Sequence, residues 1–97
     1  MAEKNNLKVL AFDFGASSGR AILGILDQEK NLNLEVLYRF PNQGVQVGNS
    51  LYWNVLGLFE EIKNGLRLSA EKHGKEISSI SLCFWGVDFA LLDENDE

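Results

Sequence analysis

One stretch of helical periodicity, set between runs that read as strands, limits this chain to a few sheet topologies. Val55, Leu58, Phe59, Ile62, Leu66 and Ala70 recur at the spacing that forms one apolar stripe on a helix. Asn54 is placed to cap its start, where its side-chain oxygen can accept a backbone N–H that has no partner inside the helix. Gly74 is placed to stop it. Gly57 and Gly65 lie inside, each costing about 1 kcal/mol relative to alanine, so this helix depends on packing against something else.

Three strands are expected before the helix. Lys8 to Phe12 is a compact apolar run, Ala21 to Asp27 a second strand, and Leu34 to Phe40 a third. In the third, Leu34, Val36 and Tyr38 fall on one face and Glu35, Leu37 and Arg39 on the other. Pro41 to Ser50 holds the single proline and two glycines and reads as a loop. After the helix come Ser78 to Trp85 as a fourth strand and, past Gly86, Asp88 to Leu92 as a further one. A helix between strands makes a right-handed crossover to a parallel neighbour. The expected fold is therefore α/β, an antiparallel meander joined by a parallel strand, in the order 3-2-1-4. That order sets Asp13 and the Gly15–Gly19 segment at the end of a central strand, where ligands of such sheets bind.

Composition removes several classes. The chain has 97 residues, 45% hydrophobic and 24% charged, an ordinary globular balance. No apolar run approaches the roughly 20 residues of a transmembrane helix. The polar opening from Met1 to Asn6 lacks the apolar core of a signal peptide, so a cytoplasmic protein is expected. One cysteine, Cys83, excludes an internal disulfide and a multi-cysteine metal site, and one histidine, His73, leaves no His-rich catalytic constellation. The net charge is −5, but Asp93, Glu94, Asp96 and Glu97 supply most of it in one solvated turn. The scattered lysines and arginines build no face for nucleic acid or a membrane surface.

The residues at the strand end suit a phosphate. Asp13 can hold Mg²⁺ directly or through water. Gly15 and Gly19 let the backbone turn and bring N–H groups near an anion. Ser17 and Ser18 add hydroxyls, and Arg20 adds a forked cation matched to phosphate oxygens. The same residues also suit a plain hairpin turn in which Asp13 only accepts turn hydrogen bonds. The segment is not a Walker loop, which needs Gly-Lys-Ser/Thr ahead of a helix. Cys83 reads as a small buried hydrophobe rather than a nucleophile. His73 reads as a helix-end cation, and Glu60 and Glu61 as solvated surface.

Asp13-Phe14-Gly15-Ala16-Ser17-Ser18-Gly19-Arg20 between two strands resembles the first phosphate motif of the actin, hexokinase and sugar-kinase superfamily. Within it the chain is most similar to the FGGY carbohydrate kinases, in the branch that carries Ala-Ser-Ser-Gly-Arg where most members have threonine after the motif glycine. Arg39-Phe40-Pro41-Asn42 followed by Leu51-Tyr52-Trp53, and Trp85-Gly86-Val87-Asp88-Phe89 with Leu91-Leu92-Asp93, resemble later segments of that branch in the same order. Cys83 and Phe84 depart from it, standing where an Asp and a Thr or Ser are usual.

The resemblance implies an incomplete ribonuclease H-like, or actin-like, domain. Residues 1–97 match the opening of the first of two kinase domains. It implies ATP and Mg²⁺ as cofactors and a ketose as substrate. L-rhamnulose is the first choice, with a related deoxyketose or a non-catalytic actin-like nucleotide-binding protein as alternatives. It assigns Asp13 to the metal, and Gly15, Ala16, Ser17, Ser18, Gly19 and Arg20 to the nucleotide phosphates. Gly86, Trp85 and Asp88 go to the sugar side. The catalytic base aspartate is expected downstream, outside this chain, so the chain alone should be inactive. It should self-associate or need the rest of the polypeptide.

Overall fold

The computed structural model describes residues 6–97; the polar opening segment, residues 1–5, lies outside them. Three long strands come first: β1 (Leu7–Phe14), β2 (Ser18–Leu26) and β3 (Leu32–Pro41). Two short ones follow, β4 (Val45–Val47) and β5 (Ser50–Tyr52), then α1 (Val55–His73) and β6 (Ile77–Cys83). The main sheet runs β3-β2-β1-β6, with β1 antiparallel to β2 and parallel to β6 across the crossover helix. The fold is α/β with a mixed sheet. The strand expected to be fourth is sixth in the chain, because the segment read as loop holds the β4–β5 hairpin. Its two turn residues are Gly48 and Asn49, and Gly48 supplies the positive φ of 59° that the first position of a type II′ turn requires.

Two further expectations change. The expected strand at Asp88 to Leu92 does not form. β6 ends at Cys83, and the residues beyond it have no neighbouring strand among the described residues, so their backbone has no ladder to join. In β3 the pairing shifts between Ala21 and Ile22: Ala21 faces Tyr38 but Ile22 faces Val36, which leaves Leu37 as an extra residue. This bulge breaks the expected alternation. Leu34 and Val36 stay exposed, while Leu37 and Tyr38 both pack toward the core.

The core lies between the sheet and α1. Leu10, Phe12, Phe14, Ala21, Leu23 and Phe40 are buried, and Leu58 and Ile62 of α1 pack against this cluster with Leu66. Both helix ends form as expected. Asn54 Oδ1 accepts from Gly57 N at 3.0 Å, and Gly74, at φ 63°, donates its N–H to Ala70 O at 2.8 Å. Val55 and Phe59, part of the predicted stripe, remain exposed.

Gly65 has a packing reason. A Cβ there would lie 2.5 Å from the Phe12 ring and 3.2 Å from Ala21 Cβ. The ring is fully buried and has nowhere to go. Gly65→Ala is therefore expected to lower stability by about 1–2 kcal/mol, because overpacking outweighs the gain in helix propensity. The check is the urea midpoint; a raised midpoint would show that the ring yields. Among the described residues, no helix is long and apolar enough to cross a membrane.

Candidate functional site

β1 alternates Leu10, Phe12 and Phe14 toward the helix, so Asp13 emerges on the opposite face, at the strand's C-terminal end. Phe14 anchors that end. Its ring stacks on Phe84 at 4.7 Å and meets the edge of Phe40 at 5.5 Å. The chain then turns through Gly15, Ala16 and Ser17 and re-enters the sheet at Ser18.

Gly15 N donates to Ser18 O at 2.8 Å and closes the turn. Neither Gly15 nor Gly19 takes a positive φ; each is glycine for space. A Cβ on Gly15 would sit 2.9 Å from Ser18 O. One on Gly19 would strike the Phe40 ring, which lies across it. Ala16, Ser17 and Ser18 are exposed, whereas Gly19 is buried within β2. The exposed part of the motif is thus its middle, with a glycine on either side setting its shape.

Asp13 and Arg20 are cross-strand partners, and Arg20 donates from a terminal guanidinium nitrogen to Asp13 Oδ2 at 2.7 Å. Both side chains are partly open to solvent, 39% for arginine and 45% for aspartate. The pair gives Arg20 a partner that the sequence reading did not foresee. The guanidinium still carries further N–H donors, and Asp13 keeps its other oxygen. Among the described residues there is no cluster of three metal-ligating side chains. A lone carboxylate suits Mg²⁺ as it travels with nucleotide phosphates, mostly water-ligated, rather than in a protein cage.

The register also brings in a residue that the motif did not contain. Arg39 of β3 pairs with Arg20 of β2, so two arginines and one aspartate form a row across the sheet. Like charges directly opposite each other are unfavourable. An anion placed there would relieve the repulsion. The signal in the sequence was the β3 register, which the bulge concealed.

Trp85 and Asp88 share a second feature. With Phe14, Trp53, Phe59 and Phe84 they line a largely apolar cavity of about 280 Å³. The Trp53 and Trp85 rings lie 4.4 Å apart, and Asp88 N donates to Trp85 O at 3.1 Å. Gly86 lines no part of it, and a Cβ there would meet nothing within 4 Å. Trp53 was not singled out from sequence; the Leu51-Tyr52-Trp53 segment marked its position without its role.

Two readings are corrected. Cys83 is exposed, on the last residue of the edge strand β6, and not buried. Glu61 is not free surface: it accepts from Tyr38 Oη at 2.6 Å and Asn64 Nδ2 at 2.9 Å. That bond stabilises the protonated phenol and raises the Tyr38 pKa above its ordinary value.

No family model matches the chain. Curated proteins do. The chain is 47% identical over 85 residues to the rhamnulokinase of Bacteroides thetaiotaomicron, covering 88% of this chain and 17% of that protein. It is 44% identical over 87 residues to the rhamnulokinase of Oceanobacillus iheyensis, covering 90% of this chain and 18% of that one. The rhamnulokinase of Halalkalibacterium halodurans gives 44% over 88 residues. Similarity to rhamnulokinases therefore runs along nearly the whole chain. The chain spans less than a fifth of the length of these relatives.

Proposed function

We propose that this chain is the opening part of the first actin-like domain of a ketose kinase, one that phosphorylates L-rhamnulose to L-rhamnulose 1-phosphate with ATP and Mg²⁺. The observation that carries this reading is the 47% identity to a rhamnulokinase across 88% of the chain, together with the strand-end placement of Asp13 to Arg20. In the reaction, a primary hydroxyl oxygen of the ketose bonds to the γ-phosphorus, and the bond to the β–γ bridging oxygen breaks to release ADP. The hydroxyl proton passes to a carboxylate, an aspartate supplied from outside this chain. Mg²⁺, when bound, neutralises charge shared by the phosphates.

This chain's residues position the nucleotide. Asp13 would hold the Mg²⁺. The amides and hydroxyls of Ala16, Ser17 and Ser18 face the phosphate oxygens, with Gly15 and Gly19 shaping the turn. Arg20, with Arg39 beside it, offsets their charge. Phosphoryl transfer depends chiefly on such positioning and electrostatics. Trp85, Gly86 and Asp88 lie toward the sugar, with the Trp85 face against its carbon–hydrogen surface and Asp88 toward its hydroxyls. Cys83 and Phe84, which replace the residues usual there, are the positions that would adapt the site to a related deoxyketose.

The test is a coupled ADP-release assay on the full natural polypeptide with L-rhamnulose, L-fuculose and D-xylulose. The expected result is ketose-dependent release with the highest kcat/KM for L-rhamnulose, and no such release from residues 1–97 alone. Release indifferent to every ketose would favour a nucleotide-driven actin-like switch and overturn the kinase reading.

A further inference from the structure

Asn42 follows the proline at the end of β3, and nothing about its residue type marks it as part of a nucleotide site. It is 5% exposed, and it makes two hydrogen bonds to the Gly15–Ser18 turn. Its backbone N donates to Ser17 O at 2.9 Å, and its side-chain Nδ2 donates to Gly15 O at 2.9 Å. One residue thus holds two carbonyls of the turn.

The peptide plane gives those bonds a consequence. In a trans peptide the C=O and the following N–H point in opposite directions. Fixing Gly15 C=O toward Asn42 turns the Ala16 N–H away from it, and fixing Ser17 C=O does the same for the Ser18 N–H. Ala16 and Ser18 are both exposed, and the Ala16 N–H has no backbone acceptor among the described residues. The exposed Ala16 amide is thus a donor available to an anion at the turn.

Asn42 achieves this at a local cost. Its Oδ1 is buried without any hydrogen-bond partner. Swapping the amide's nitrogen and oxygen would not cure this, because it would set Oδ1 against the Gly15 carbonyl oxygen. Buried polar atoms are ordinarily satisfied, and an exception of this kind marks a position held for another reason. The strand connection itself needs only the backbone bond to Ser17, which any residue other than proline could make.

We propose that Asn42 is a positioning residue for phosphate recognition, holding the Gly15 and Ser17 carbonyls inward so that the Ala16 amide faces the nucleotide phosphates. This rests on the kinase reading above. Asn42→Asp keeps the size and the backbone bond but replaces the donor with an acceptor facing Gly15 O. Asn42→Ala removes the side-chain bond without adding charge. In the full natural polypeptide, both variants are expected to raise KM for MgATP about tenfold or more, leaving KM for the ketose unchanged. Hydrogen exchange across residues 14–18, measured without nucleotide, should quicken in both. Asn33→Asp, on the exposed part of the same strand, should change none of these values. A parallel rise in both KM values, or an unchanged KM for MgATP with faster exchange, would make Asn42 a structural link only and overturn the proposal while the kinase reading stands. A wild-type protein without saturable MgATP dependence would overturn both.

Discussion

Asp13→Ala in the full natural polypeptide is expected to lower kcat by about 10²–10³, with a much smaller change in KM for the ketose. The size follows from analogy with the loss of one preorganised electrostatic contact to a charge-developing transition state. The direction follows from geometry. Asp13 stands at the strand end, on the face opposite the core, and holds Arg20 at 2.7 Å. On the proposed reading, losing the carboxylate would remove the anchor assigned to the cation, and it frees Arg20 from its partner. Folding should be little affected, because the pair is half-exposed and such pairs contribute only about 0–1 kcal/mol. Steady-state kinetics beside a urea titration separate the two effects. Near-normal kcat with weakened ketose binding would move Asp13 from the phosphates to the sugar.

The 97-residue chain on its own is expected to sediment as a dimer or larger species at micromolar concentration. β6 is an edge strand whose outer side has no neighbour among the described residues. Ile80 and Leu82 on it are about half exposed, and Val87, Phe89 and Leu91 beyond it are 80% exposed or more. An open edge beside apolar, β-prone residues invites pairing with a second copy. Leaving even about 400 Å² of apolar surface in water forfeits on the order of 10 kcal/mol at about 25 cal/mol per Å². That matches the whole stability of a typical domain, about 5–15 kcal/mol. Analytical ultracentrifugation decides it, and a stable, folded monomer would contradict the expectation.

Local rules carried much of the architecture. The helix was legible from its stripe and from both caps, Asn54 and Gly74, because those signals lie within a few residues of one another. The crossover helix set β6 parallel beside β1, and this made β1, with Asp13 near its end, an interior strand. What escaped the reading depends on partners distant in sequence. The β3 bulge is visible only against β2, and with it the pairing of Arg39 with Arg20. Asn42 acquires its role from carbonyls about 25 residues earlier. Gly65 looked like a weakness of the helix until Phe12 was seen beneath it. The strand expected at Asp88 to Leu92 failed for a related reason: β propensity is expressed only where a ladder partner exists. The β4–β5 hairpin was readable, since Gly48-Asn49 between Val-Gln-Val and Ser-Leu-Tyr is a two-residue turn signal, but the nearby proline drew the whole segment into a loop.

On the proposed reading, the turn between β1 and β2 receives the phosphates of ATP. Hydrogen–deuterium exchange of the full natural polypeptide, with and without MgATP, tests it at the residues concerned. MgATP is expected to slow exchange across Asp13 to Arg20. Unchanged exchange there, with protection confined to the Trp53–Trp85 cavity, would contradict it.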